Sequence, residues 1–218
     1  MAKIKQGILG GFSGKVAGVV GTSWKGRAVM KSRPLSVSNP KTDAQVEQRG
    51  KFSDIAKLAS SILTTFVQPV ENPISGDVSG YNKFVKDNKA AFDGAGALQA
   101  ANLVAGGGKL PYLENVVYET EVGDNAFHIS WTNPAGTSAI RLTDKVYGAV
   151  FGLDGKLLGV SSGTQTRNDK VLNVPVTDEE WAMAEGDRFV YLVALVSADG
   201  RDVSVLAPAR EDEVVSGD

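Results

Sequence analysis

The chain has 218 residues, of which 42% are hydrophobic and 22% charged, so it can bury a core and is neither a short peptide nor a disordered tail. It contains no cysteine and a single histidine, which excludes disulfides, thiol nucleophiles and the usual zinc, haem and iron–sulfur sites. Most of the remaining functions are binding and assembly. The composition therefore predicts a protein that is not an enzyme and that has no catalytic residue, cofactor or metal site.

Charge is distributed unevenly, although the net charge is only −2. Residues 1–51 contain ten Lys and Arg against two acidic residues, a net of +8, and the rest of the chain carries a net of −10. A basic segment on an acidic body can bind nucleic acid, an anionic surface or the acidic body of a neighbouring copy. A pI of about 5.5 argues against nucleic acid. No apolar run approaches the roughly 20 residues of a membrane span.

Residues 1–38 are basic and rich in glycine, with scattered apolar and aromatic side chains. Frequent glycines oppose a helix at about 1 kcal/mol each. The apolar residues on both sides of Trp24-Lys25-Gly26-Arg27 predict two short strands around a turn. Because the segment has too little apolar mass for a core of its own, we expect an extended arm or hairpin that lies against another surface. Phe12, Trp24 and Arg27 are its predicted subunit contacts.

Residues 39–106 are predicted to be helical. Pro40 disfavours helix at the residue before it, and Thr42 followed by Gln45 has the form of a capping box, so a helix begins here. We expect Pro69 to end it. A shorter helix is predicted from Tyr81 to Phe92.

The first of these helices carries apolar residues at steps of three and four, the spacing of a helix–helix seam about two heptads long. The seam residues are Phe52, Ile55, Ala59, Ile62 and Phe66. This seam can pack against the rest of the chain or between copies. In the second case Phe52, Ile55 and Ile62 are subunit contacts.

After a Gly106-Gly107-Gly108 linker, the apolar periodicity changes from helical to alternating from Leu113 onward. Asp154-Gly155 and Asp199-Gly200 predict tight turns between strands. Seven strands are predicted, at 114–119, 125–131, 144–152, 156–161, 170–176, 187–197 and 201–207. Residues 107–210 thus have the strand number of an antiparallel β-sandwich of the immunoglobulin or fibronectin-III type, with Trp131 in its core. Residues 211–218 are predicted to be a solvated acidic tail, and the whole chain is α+β.

Three sequence patterns could indicate a catalytic or ligand-binding site, but each is better explained as part of the fold. The glycines before Lys15 lack the flanking strand, helix and hydroxyl of a phosphate-binding loop. His128 is predicted to point away from the core side of its strand, and no nucleophile elbow accompanies it. The acidic run Asp178-Glu179-Glu180 follows a threonine and resembles a capped helical turn.

The N-terminal string from Ile4 to Val16, with Trp24-Lys25-Gly26 and Arg33-Pro34 after it, resembles an uncharacterised family that is known as a domain of unknown function in Bacteroidota and their phages. The resemblance continues through most of the chain and implies no activity. The pattern Asn-Pro-x-Thr-x-x-Gln-x-x-x-Arg-x-x-Phe at 39–52 also resembles segments of phage structural proteins that follow an N-terminal arm. This second resemblance implies a virion component.

We therefore expect a non-enzymatic assembly protein, specifically a bacteriophage virion component such as a head decoration, ring, fibre-base or tail protein, made in the host cytoplasm. Its partners would be other copies of itself and other virion proteins, bound through the N-terminal arm. The alternative is a bacterial cell-associated adhesion or glycan-binding module that uses the β-sandwich. Its signature would be an exposed Tyr112, Tyr118 or Tyr147 beside polar groups.

Overall fold

The computed structural model describes residues 3–4, 11–24, 27–34, 36, 39–119, 125–138, 140–161, 163–176 and 186–213. The chain divides into two compact units, Met1–Thr42 and Asp43–Asp218. Over the described part of the chain, three α-helices occur together with antiparallel strands in several sheets. This confirms the predicted α+β class.

The first unit is an antiparallel sheet with the strand order β1-β2-β3-β4. Its strands are β1 at Lys3–Ile4, β2 at Phe12–Val16, β3 at Val19–Trp24 and β4 at Arg27–Ser32. β2 and β3 are joined by a tight turn in which Ala17 takes a left-handed φ of 49°. β3 and β4 pair along their whole length, ending with Trp24 opposite Arg27. This pairing confirms the hairpin predicted around these two residues.

The helical part of the second unit begins where the sequence predicts. Its elements are α1 at Asp43–Ser61, a π-helical turn at Leu63–Val67, α2 at Gln68–Glu71, a 3-10 turn at Asn72–Ile74 and α3 at Gly80–Asp87. The prediction that Pro69 ends the first helix is wrong. The regular helix instead gives way to the π-helical turn, in which the Val67 amide donates to the Ile62 carbonyl at 3.0 Å. Pro69 lies in the first turn of α2, where its missing N–H costs nothing.

α3 is shorter than the helix predicted over 81–92. Ser79 caps its N-terminus. At the other end the side chain of Asn88, fully buried, donates to the carbonyl oxygens of Phe84 and Val104, both at 2.9 Å, and accepts from the Val104 amide at 2.6 Å. These bonds tie the end of α3 to an extended segment, so the chain leaves the helix there.

The strands of the second unit are β5 at Val104–Ala105, β6 at Glu114–Glu119, β7 at Ala126–Thr132, β8 at Lys145–Gly152, β9 at Leu157–Val160, β10 at Val171–Pro175, β11 at Arg188–Val196, β12 at Ala207–Pro208 and β13 at Arg210–Glu213. They form the sheets β10-β7-β6, β13-β11-β8-β9 and β12-β5. Strands β6 to β11 confirm six of the seven predicted strands, with ends within one residue. The seventh, predicted at 201–207, is reduced to bridges at Val203 and Ser204 followed by β12.

The four-stranded sheet is the middle of three layers. One set of alternating residues in β8 and β11 packs with the helices, and this core includes Ile55, Ile62, Phe66, Phe84, Tyr147, Phe151, Val190 and Leu192. The other set packs with the three-stranded sheet, and this core includes Phe127, Ile129, Trp131, Leu172, Val174, Phe189, Tyr191 and Val193. Trp131 is buried here, as predicted. The two packed sheets resemble the expected sandwich in outline, whereas the immunoglobulin-like assignment stays a prediction.

An ion pair between the buried Glu71 and the half-buried Lys83 fastens the helices to the glycine segment at Gly106. One carboxylate oxygen of Glu71 accepts from Lys83 Nζ at 2.8 Å, and the other accepts from the Gly106 amide at 3.0 Å. Lys83 also contacts Asp87 at 2.8 Å. Burial raises the pKa of Glu71 and outweighs the hydrogen bonds from Lys83 and Gly106, which lower it.

This raised pKa gives a pH dependence that can be measured. The folded state holds the Glu71 proton more tightly than the unfolded state, so the free energy of unfolding falls as pH rises from the ordinary value of 4.5 through the raised pKa. The variant Glu71→Gln lacks this titration. We expect the stability difference, wild type minus variant, to decrease with pH over this interval in urea-unfolding experiments. A difference that stays constant or grows with pH would contradict the assignment.

Candidate functional site

The N-terminal sheet buries almost none of its own residues. In its described part Gly21 alone is buried, and Phe12 is half-buried. Apolar side chains are exposed instead: Val16 is 50% exposed, Val29 40% and Met30 67%. A small sheet needs an apolar face covered by other residues to be stable in water. The exposed faces of this sheet are therefore candidate contact surfaces.

Phe12, one of the predicted contacts, packs within its own sheet. Its ring lies across Gly21, where a Cβ would stand 2.6 Å from the ring carbons, so the close approach requires glycine. Gly14, with a φ of 115°, is the first residue of β2 that pairs with β3, opposite Gly21. Phe12 thus shapes the sheet more than it offers surface to a partner.

The pairing register sorts the exposed side chains onto two faces. Arg27, Val29 and Lys31 alternate along β4 and share one face, and the cross-strand pairs place Lys15 in the same row as Lys31. Met30 points to the opposite face. The sheet therefore has one face with several positive charges and one face that is mainly apolar.

β4 is also an edge strand. It stands at the end of the sheet order, and all six of its residues are exposed. Arg27, a predicted contact, is its first residue. Trp24, another predicted contact, is the last residue of β3, and its side chain falls outside the described residues. An edge strand presents backbone groups that can pair with a further strand.

The three predicted contacts in α1 and directly after it differ in their exposure to solvent. Phe52 is 61% exposed and is available to a partner. Ile55 and Ile62 have no exposed surface and lie in the core between the helices and the four-stranded sheet. Their burial removes these two side chains from any surface that another copy could contact, because packing within the chain already satisfies them.

A groove of about 590 Å³ separates β6 from β13, which are edge strands of the two large sheets. Tyr112, Val116 and Tyr118 line its apolar side. The Tyr118 ring packs on Tyr191 with a centroid distance of 4.7 Å, and burial raises the pKa of Tyr118 to about 12. The Tyr112 hydroxyl donates to the Val193 carbonyl at 3.2 Å. The groove thus has a firmly packed aromatic wall.

The two sheets are joined on their other side. Gly159 in β9 bridges to Val176, directly after β10, so the sheets are linked at that side and open along the groove. The consequence is that β6 and β13 present their outer edges toward the groove.

β13 makes one side of the groove acidic. Glu211, Asp212 and Glu213 were expected in a solvated tail, and they instead pair with β11 as an edge strand. Glu211 forms an ion pair with Arg188 at 2.8 Å. Residues 214–218 lie outside the described residues.

The residues singled out for possible chemistry form no catalytic arrangement in the part of the chain that the structure describes. His128 Nδ1 lies 2.8 Å from Asn173 Oδ1 across β7 and β10. The acidic run at 178–180 lies outside the described residues. Among those described, no three His, Asp or Glu side chains are placed to hold a metal ion, and no helix has the length and apolar character to cross a bilayer.

The three tyrosines named for the glycan-binding alternative differ in their location. Tyr112 and Tyr118 line the groove, as a binding surface would require. Tyr147 is buried against the helices, and its ring covers Gly163, whose φ is 68°. Tyr147 is therefore a core residue.

These observations define an α+β protein that presents an exposed basic edge strand, an acidic edge strand and an aromatic groove. A profile of the Family of unknown function (DUF6266) matches residues 11–207, and the chain belongs to that family. The match confirms a domain of unknown function over most of the chain. Comparison with curated proteins gives no match.

Proposed function

We propose that this protein is a non-enzymatic structural assembly protein whose N-terminal sheet binds neighbouring copies. The exposure of Val16, Val29 and Met30 supports this proposal most strongly. Full burial of an exposed side chain of this kind is worth about 1.5–3 kcal/mol, and these three, 40–67% exposed, would gain the corresponding part of that amount in a complex. A neighbouring subunit that covered the sheet would supply the apolar contacts that its own described residues do not.

The charge distribution supports a second copy as the partner. The first 51 residues carry a net charge of +8 and the rest −10, so each copy provides both halves of an attractive pair. Electrostatic complementarity of this kind steers association and disfavours wrong pairings.

We further propose that the assembly is a bacteriophage virion, in phages of Bacteroidota, with the protein made in the host cytoplasm. The resemblance of residues 39–52 to phage structural proteins supports this setting, and an immunoglobulin-like sandwich would face outward. Mass spectrometry of purified particles tests it directly. Absence of the protein from particles of a phage that encodes it would refute the setting and leave self-association as a separate question.

The self-association is tested by the double variant Val29→Ser with Met30→Ser. Sedimentation velocity over a concentration series should show that wild type associates and that the variant associates at least tenfold more weakly, since a tenfold change corresponds to about 1.4 kcal/mol. Ile140→Ser is the matched control, because Ile140 is 76% exposed on a loop of the second unit. Its association should equal that of wild type. A wild type that stays monomeric throughout the series would overturn the proposal.

The groove supports a second candidate function, a cell-associated glycan-binding module. Tyr112 and Tyr118 offer aromatic surface beside the polar Arg210 and Asp212, which is the combination that a sugar ring requires. Selective binding of the full chain on a glycan array, lost in Tyr118→Leu, would favour this function over assembly.

A further inference from the structure

We propose that the N-terminal sheet binds the acidic edge of the next copy by strand addition: β4 of one copy pairs with β13 of another, and the two sheets become one intermolecular sheet. This inference rests on the proposed self-association and identifies its surfaces. Strand addition of this kind obtains affinity from main-chain hydrogen bonds and specificity from alternating side chains.

The two strands meet the geometric requirement. Each stands at the end of its sheet, β4 with six residues and β13 with four. A pairing of four residues spans about 13 Å at the ordinary rise of a strand. Every residue of β4 is exposed, so no side chain of that strand has to leave a packed position first.

Their charges select this pairing over the alternatives. β4 carries Arg27 and Lys31 and no acid, whereas β13 carries three acids beside Arg210. Charged edge strands resist pairing with edges of like charge, so two copies of β4 or two of β13 repel each other. The same charges attract when β4 meets β13. The contact is therefore made between different surfaces of the two copies.

The alternation of side chains fits in one orientation. Glu211 and Glu213 stand opposite Val190 and Arg188 of β11, so they point to the helical side of the sheet. Asp212 stands opposite Phe189, which belongs to the core between the sheets, so it points to the groove side.

If Arg27 and Lys31 lie on the same face of the joined sheet as the two glutamates, the two-residue period of the strand turns Met30 to the groove side. Tyr112, Val116 and Tyr118 line that groove. In this orientation opposite charges lie on the helical side of the joined sheet, and Met30 lies on the groove side beside apolar residues.

Such a contact has a consequence for the assembly. Because β4 and β13 are different surfaces, a bound pair of copies leaves one β4 and one β13 open. Contacts of this type generate a ring when the rotation between copies closes and a filament when it does not.

A charge-swap cycle tests the pairing in the full chain. Arg27→Glu with Lys31→Glu should weaken self-association at least tenfold, and so should Glu211→Lys with Glu213→Lys. An equimolar mixture of these two variants should recover association. The acidic β4 of the first variant then meets the basic β13 of the second, and the unaltered β4 of the second meets the unaltered β13 of the first. Lys86→Glu with Lys89→Glu changes the net charge by the same amount on exposed positions elsewhere and should leave association unchanged.

Site-directed cross-linking gives an independent readout, since the chain has no cysteine of its own. A copy with Val29→Cys, mixed with a tagged copy carrying Glu213→Cys, should give a mixed dimer with a short bismaleimide linker. Val29→Cys mixed with Ile140→Cys should not.

The outcomes separate the two proposals. A monomeric wild type refutes self-association itself. An associating wild type without recovery in the mixture and without the mixed dimer refutes only the β4–β13 pairing. If a charge variant fails to fold, as judged by circular dichroism, the cross-linking pair decides alone.

Discussion

Replacing Phe66 by alanine is expected to destabilise the whole of residues 43–218 by about 3–5 kcal/mol, the cost of deleting a buried aromatic side chain. Phe66 lies in the π-helical turn and is fully buried in the core that the helices share with β8 and β11. A cavity at this position removes contacts from the helices and the central sheet together. We therefore expect both to unfold in one transition.

Urea unfolding followed by far-ultraviolet circular dichroism for the helices, and by near-ultraviolet signals for the buried aromatic residues of the sheets, checks this result. Phe52→Ala is the matched control, because Phe52 is 61% exposed and its loss should change stability by about 0.5 kcal/mol or less. Loss of the helical signal in the variant while the aromatic signal stays native would show that the helices and sheets are separate folding units.

Replacing Asp144 by alanine is expected to have an effect of similar size. Asp144 and Arg167 are each 1% exposed, with 3.9 Å between the carboxylate Oδ2 and the guanidinium Nε. Arg167 also donates from Nη2 to the Pro111 carbonyl at 2.5 Å. Removing the carboxylate leaves a buried guanidinium without its compensating charge, which costs about 3–5 kcal/mol.

The double variant Asp144→Leu with Arg167→Met distinguishes charge from packing. Replacing both charged partners by apolar side chains should recover most of the lost stability, because a buried pair costs much desolvation and contributes little net stabilisation. Thermal or urea unfolding measures both variants, with the exposed Asp77→Ala as control. A double variant as unstable as Asp144→Ala alone would show that the position depends on shape and not on charge.

Local signals explain what could be predicted. The hairpin from Trp24 to Arg27, the start of α1 after Thr42 and strands β6 to β11 were predicted from turn residues, a capping pattern and alternating side chains, respectively. Each of these signals acts between residues that are close in the chain, so the residues themselves specify it.

The end of the first helix and the fate of the acidic tail were mispredicted for the same reason. Proline ends a helix when it falls in the helix interior, but it is tolerated in the first turn. Here Pro69 lies in the first turn of α2. Glu211 to Glu213 read as solvated, yet β11 supplies a neighbouring strand for them. In both cases the outcome depends on the structure around the residue, which is the π-helical turn before α2 for Pro69 and the neighbouring strand β11 for the acidic residues.

The sequence of β11 indicates where the seam of α1 packs, but the alternating pattern used for the prediction does not include this signal. β11 is apolar at nearly every position, which is typical of a strand covered on both faces, whereas the alternating pattern takes account only of the face with Phe189, Tyr191, Val193 and Leu195. The second apolar face required a second layer, and Ile55 and Ile62 are part of it.

The sequence by itself determined the α+β class, most element positions and the contrast between a basic N-terminal region and an acidic remainder, because these follow from local propensity and counted charge. The sequence of β11 indicates that a second layer covers the central sheet, but the tertiary structure alone decided that the helices supply it, that β13 forms an open acidic edge beside an aromatic groove, and that Val29 and Met30 stay exposed. Burial and strand order depend on which distant segments pack together, and no neighbouring residues in the chain encode that choice.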